Sequence, residues 1–213
     1  MRRFGWLKLT WAVLVLSTAG RAQTYSRLPT YNPATSFEKG FRQQTNPNGV
    51  WSYGYSSSFT SPITLYDETT QNGINGTNAQ FWLSSSNDIE NSPAAEYNDG
   101  PAYDDGNVNF LPDEFVLVSG IGGEYSDLIF TAPAKATYYL KGDFRGDQYG
   151  IGVVVGIALK GRVFFNSTVT SEGQVVPFQK TVSLAAGETL VFSVGPDGGL
   201  QNTGLDLAIV QLP

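Results

Sequence analysis

The chain has 213 residues, with 19 acidic and 13 basic side chains, a formal charge of −6, no Cys and no His. That length accommodates one domain with a sizeable core. The missing His and Cys exclude Ser-His and Cys-His nucleophiles, ordinary zinc sites, the facial-triad iron site and disulfide staples.

Any chemistry therefore runs on carboxylates, Lys, Tyr or a hard metal. Charge is also uneven along the chain. Between Arg42 and Lys135 there is no Lys or Arg, but there are 12 acids. Such a surface repels phosphate backbones and anionic membranes, so nucleic acid is not an expected partner.

The N-terminus reads as an export signal. Arg2, Arg3 and Lys8 precede an apolar run from Leu9 to Leu16, and Gly20-Arg21-Ala22 offers small residues for cleavage before Gln23. The expected organisation is a signal peptide over 1–22, a leader over 23–36 and one domain over 37–213. Cleavage would remove four basic residues and no acid, leaving a more acidic, secreted chain, extracellular or periplasmic. The later sequence has no apolar stretch long enough to span a bilayer, so no membrane span is expected after cleavage.

The first strand signal is "NPNGVWSYGY", residues 46–55. Pro47-Asn48-Gly49 supplies turn chemistry. Trp51, Tyr53 and Tyr55 then share one face of a strand. They could form a sugar platform or one wall of a core. The general burial of large apolar side chains favours the wall, with Tyr55 half exposed. Residues 63–66, 80–83, 115–118 and 125–130 also read as strands. Between Ser84 and Phe110 lies a long polar stretch that holds much of the acidic charge. A loop of that length in a small domain is a functional candidate.

The second half alternates more clearly. Tyr138, Leu140 and Phe144 share one face, opposite Tyr139, Lys141 and Asp143. Over 151–159, five aliphatics oppose Gly152, Val154, Gly156 and Ala158, and the small residues imply another layer close by. Runs at 162–165, 175–184, 188–194 and 205–211 continue the pattern. No segment shows a helical period of useful length. Period-two alternation throughout predicts an all-β antiparallel sandwich of eight to ten strands, of jelly-roll type.

"NPNGVWSYGY" together with "YSDLIFTAPAKATYYLKGDF", "VSLAAGETLVFSVG" and "NTGLDLAIVQL" resembles a group of exported bacterial proteins, many of which carry a C-terminal PEP-CTERM sorting tail. The resemblance covers about Phe37 to Leu212. It implies a jelly-roll β-sandwich shaped like carbohydrate-binding modules, and it brings no catalytic residues. The sequence stops at Gln211-Leu212-Pro213 without a sorting tail, which suggests release rather than anchoring.

Candidate site residues follow from composition. Sugar sites combine aromatic faces with carboxylates that accept hydroxyl hydrogen bonds. Trp82, Tyr97, Tyr103 and Tyr55 are the aromatic candidates, with Phe81 and Trp82 directed to opposite faces of their strand. The bland alternative is that the loop tyrosines simply tuck onto the domain. Asp99, Asp104 and Asp105 are candidate ligands for calcium, the only cofactor suggested. An EF-hand is excluded, because Phe110 and Val116 occupy the Gly and Glu positions after Asp105. Asp206, between Leu205 and Leu207, either faces outward or completes an oxygen site.

Nucleophile-elbow, P-loop and dinucleotide motifs are all missing. Arg145-Gly146-Asp147 reads as a turn, and Asn75 and Asn166 head glycosylation sequons. The leading expectation is a non-catalytic exported protein that binds a polysaccharide or cell-surface glycan. A structural or adhesive envelope protein and a carboxylate-based glycoside hydrolase or lyase are the alternatives.

Overall fold

The structure, a computed structural model, describes residues 28–71, 79–85, 91–150, 152–197 and 202–213. The expected signal at 1–22 and the Asn75 sequon lie outside the described residues. In chain order the elements are β1 (Thr30–Tyr31), α1 (Pro33–Gln43), β2 (Trp51–Ser56), β3 (Thr64–Leu65), β4 (Glu68–Thr70), β5 (Gln80–Leu83), β6 (Ala94–Asn98), β7 (Tyr103–Asp104) and β8 (Asn109–Phe110). Then come β9 (Glu114–Val118), β10 (Tyr125–Thr131), β11 (Ala136–Gly146), β12 (Gly152–Leu159), β13 (Arg162–Val169), β14 (Val175–Leu184), β15 (Thr189–Asp197) and β16 (Asn202–Gln211). The strand count exceeds the sequence expectation because pairings of two or three residues are too short to show alternation.

A front sheet has the order β14-β11-β16-β9-β6-β5-β4, with β1 paired to β16. A back sheet has the order β13-β12-β15-β10-β2-β3. Their strand pairs are antiparallel, as for β11 with β14 and β16. From β9 to β16 the chain passes repeatedly from one sheet to the other. That wrapping is the jelly-roll path through a β-sandwich, as the alternation implies.

The core lies between the inner faces. Trp51 and Tyr53 of β2, Leu128 and Phe130 of β10 and Phe192 of β15 meet Tyr138, Leu140 and Phe144 of β11 and Leu207 of β16. Each such side chain contributes roughly 1.5–3 kcal/mol on burial, which is how a domain without disulfides holds together. The wall reading of the 46–55 stretch is correct: Trp51 and Tyr53 are buried, while Tyr55 is half-buried and stacks on Tyr66.

The helix α1 departs from expectation and begins inside the segment read as a leader. Asn32 is its N-cap, accepting from the Thr35 N–H at 3.3 Å, and Pro33 sits in the first turn. The Asn-Pro pair thus starts a helix instead of breaking structure. Ala34, Phe37 and Phe41 make its apolar stripe, too brief to stand out in sequence. Phe37 closes one end of the sandwich, with its ring 5.1 Å from Tyr53 of the back sheet and 5.7 Å from Phe115 of the front.

Each sheet also has something on its outer face. On the back sheet, Phe59 lies over Gly156 and Tyr125 over Gly195, and a Cβ at either glycine would strike those rings. Phe59 over Gly156 is the close layer that the small residues of β12 implied. On the front sheet, the β7–β8 hairpin covers β5, β6 and β9 and encloses a second small core of Phe81, Leu83, Val108, Phe110, Val116 and Val118. The long polar stretch is therefore not one loop: its residues 94–98 form β6 of the front sheet, and the part after Asn98 folds back as a lid over half of that sheet.

Candidate binding groove

The other half of the front sheet's outer face is open. Alternation along β11 sends Lys141, Asp143 and Arg145 outward. Register places Asp143 opposite Asp206 of β16 and Pro177 of β14, and Lys141 opposite Ala208 and Gln179. These residues line a groove of about 510 Å³. A second compartment of about 390 Å³ adjoins it through Asp143 and Asp206 and reaches Arg145, Glu114 and Gly204. Its apolar walls include Leu111 and Val175, which are 44% and 52% exposed.

Asp143 and Asp206 are like charges in direct cross-strand register, an arrangement that opposes stability. Burial, and then the charge of Asp206, push the Asp143 carboxyl above its ordinary value. What this floor can do chemically is accept hydrogen bonds from hydroxyl or ammonium donors, while Lys141 and Gln179 donate beside it.

A charged cluster stands at the end of the groove. Arg145 Nη1 donates to Glu114 Oε1 at 3.1 Å, to Asp147 Oδ1 at 2.5 Å and to the Asn109 carbonyl at 3.1 Å. Glu172 lies 3.9 Å from its other nitrogen. The cluster passes over Gly204. A Cβ there would collide with Glu114 Oε1 and stand 2.9 Å from Asp147 Oδ2. Burial pushes Glu114 up, against the pull of the Leu111 N–H and Arg145. Burial, reinforced by Glu114, pushes Asp147 well above its ordinary value. The neighbouring Glu96, wholly buried, is pushed up to about 8 by burial.

The sequence-based candidates do not assemble. Trp82 is 2% exposed and stacks on Tyr53 in the core, so it is no platform. Phe81 is equally buried because the hairpin covers its face. Tyr97 packs on Phe37 and donates to Asp113 Oδ1 at 3.3 Å. Tyr103 rests on the small core and donates to Asp105 Oδ2 at 3.1 Å. Tyr55 belongs to the other sheet.

Of the three carboxylates proposed for calcium, Asp104 and Asp105 serve the backbone of the loop and Asp99 serves Gln80 of β5. Asp99 accepts from Gln80 at 3.0 Å, Asp104 from the Gly106 N–H at 2.8 Å, and Asp105 from Asn107 and Val108 N–H groups at 2.8 and 3.0 Å. Among the described residues, no three carboxylates are gathered as a metal site. Arg145-Gly146-Asp147 is likewise no turn: Arg145 and Gly146 end β11, and Asp147 is fully buried.

The groove residues were visible only in part. The polar face of β11 and the outward option for Asp206 were legible. Their meeting depends on register between strands some 60 residues apart, as with Asp143 and Asp206.

No family model matches the chain, and no curated protein matches it in sequence. Solved structures do match. A carbohydrate-binding module in complex with β-1,4-galactotriose is 11% identical, with a TM-score of 0.34, and the match covers 88% of this chain and 100% of that one. A family 35 carbohydrate-binding module from Clostridium thermocellum is 12% identical with a TM-score of 0.33, covering 63% and 89%. A module of the Cellvibrio mixtus lichenase 5A, in complex with cellotriose, is 14% identical with a TM-score of 0.31, covering 53% and 86%. Such low identities and TM-scores tie none of these ligands to this chain.

Proposed function

We propose that this chain is an exported, non-catalytic β-sandwich protein that binds carbohydrate in the open groove of its front sheet. The carrying observation is the groove itself. In one compartment exposed apolar walls at Leu111 and Val175 flank Asp143 and Asp206, and in the adjoining one Lys141 and Gln179 stand beside the same two carboxylates. A sugar ring presents C–H faces and hydroxyl edges. Apolar walls suit the first, and carboxylate, amide and ammonium groups suit the second. Among the described residues, no helix is long and apolar enough to cross a membrane.

The test is affinity electrophoresis of the purified protein through gels holding soluble β-glucan, xylan, galactan or pectin. One polymer should retard the protein. That retardation should be lost in an Asp206→Ala, Gln179→Ala double variant and kept in Val163→Ala, which changes an exposed residue of β13 on the back sheet. Release of reducing ends from that polymer would overturn the non-catalytic reading. No retardation in any gel would favour the adhesive alternative, with Leu111 and Val175 as part of a protein-binding face.

A further inference from the structure

Within that carbohydrate-binding reading, the wall of the groove has its own fastening. Residues 109–113 comprise β8 of the hairpin and its link to β9, and Leu111, Pro112 and Asp113 of that link form one side of the second compartment. Two bonds from β6 reach this wall, from Asn98 Nδ2 to the Leu111 carbonyl at 2.8 Å and from the Tyr97 hydroxyl to Asp113 Oδ1 at 3.3 Å, and four more hold it at the Arg145 cluster. The Asn109 N–H donates to the Asp147 carbonyl at 2.7 Å, and Asn109 Nδ2 to Glu172 at 2.7 Å. The Leu111 N–H donates to Glu114 Oε2 at 2.6 Å, and Arg145 donates to the Asn109 carbonyl. Three of these last four end on the Arg145 side chain or on a carboxylate paired with it.

The charge balance at this fastening is unequal. Glu114 of β9, Asp147 after β11 and Glu172 before β14 all pair with Arg145. Among the described residues, none of the three pairs with another cation. More acids stand behind them. Glu96 of β6 bears on Asp147, and Asp143 of β11 bears on Glu114 and itself faces Asp206. Tyr149 faces Asp104 of the hairpin as well as Glu172 and Arg145. Arg145 is 13% exposed and Asp147 has no exposed side-chain surface, so water screens little of this excess.

We propose that Arg145 is the positioning residue of the groove: clasped by Glu114 and Asp147, it pins the 109–113 wall while one carboxyl keeps its proton, and loss of that proton loosens the wall and weakens binding as pH rises. Full ionisation leaves a buried negative charge that one guanidinium does not balance. Loosening the wall is the short route by which water reaches it.

Hydrogen exchange at the Asn109 and Leu111 amides of the full chain reads the clasp without any sugar. After correction for intrinsic rates, exchange at both should speed as pH rises above neutrality, by up to about tenfold per pH unit while one proton is released. Asp147→Asn, a permanently neutral isostere, should flatten that rise, and Glu114→Gln gives a second reading if the first variant folds poorly. A flat wild-type profile, or an unchanged slope in the variants, overturns the proposal. Retardation by the bound polymer should weaken over the same pH range. If the amides follow pH but no polymer is retarded, the clasp stands and the carbohydrate reading fails. If retardation and the amides both ignore pH, the clasp fails and the carbohydrate reading stands.

Discussion

On the covered half of the front sheet, β5, β6 and β9 present Phe81, Leu83, Ala94, Val116 and Val118 to the hairpin. On the open half, β11, β14 and β16 present Lys141, Asp143, Gln179 and Asp206 to the groove. The two halves belong to one hydrogen-bonded surface, joined where β9 pairs with β16. What separates them is the residue on alternate positions. Where both faces of a strand are apolar, a third layer must cover the outer one. Where only one face is apolar, the outer face stays available to a ligand.

Removing the cover is the strongest way to break this contrast. Phe110 anchors the hairpin in the small core and is 1% exposed. Phe110→Ala should cost about 3–5 kcal/mol in urea unfolding, whereas Gln179→Ala on the open half should change stability by no more than about 0.5 kcal/mol. Equal costs would show that the hairpin does not cap the sheet.

The buried acids give the next effect. Burial pushes Glu96 up to about 8 and Asp127 up to about 7, the latter against bonds from Ser193 and Ser56. Both groups hold their protons more tightly folded than unfolded. Their contribution is complete below the ordinary values of 4.5 and 3.8 and is lost as pH rises through the folded values. Unfolding free energy should therefore fall between about pH 5 and pH 8, by up to about 1.4 kcal/mol per pH unit for each group. Glu96→Gln should flatten the upper part of that decline, and a stability that rises over the range would contradict both assignments.

Gly204 lies where the halves meet. Gly204→Ala drives a methyl group into the Glu114 carboxylate and should cost about 1–3 kcal/mol by thermal or denaturant melting. Preserved stability together with intact protection of the Leu111 amide would mean that the cluster reorganises freely.

The smallest change belongs to the groove floor. Asp143→Asn removes one of two facing like charges and should raise stability by about 0.2–1 kcal/mol while weakening polymer retardation. A variant that gains stability and keeps full retardation would detach the pair from the ligand.

Legibility followed the range of the interactions involved. Strands with one buried face, such as β11 and β14, declared themselves through alternation. The core role of Trp51 and Tyr53 could be read the same way, because a strand face is a local property. Trp82 misled for a related reason. Adjacent large apolar residues on a strand ordinarily expose one of the two, and only the hairpin folding back over Phe81 buries both. The acids of the hairpin misled because Asp and Asn serve turns as readily as they serve cations. Asp104 and Asp105 accept from the backbone N–H groups that follow them.

By itself, the sequence determined the period of the strands, the chemistry excluded by the missing His and Cys, and the inner faces that must be buried. These follow from each residue's own side chain and its place in a two-residue repeat. Only the tertiary structure decided that α1 plugs the sandwich, that Glu114, Arg145 and Asp147 meet over Gly204, and that Asp143 faces Asp206 beside an open groove. Those meetings depend on strand register and on which loop lies over which face, and both are settled by contacts between residues far apart in the chain.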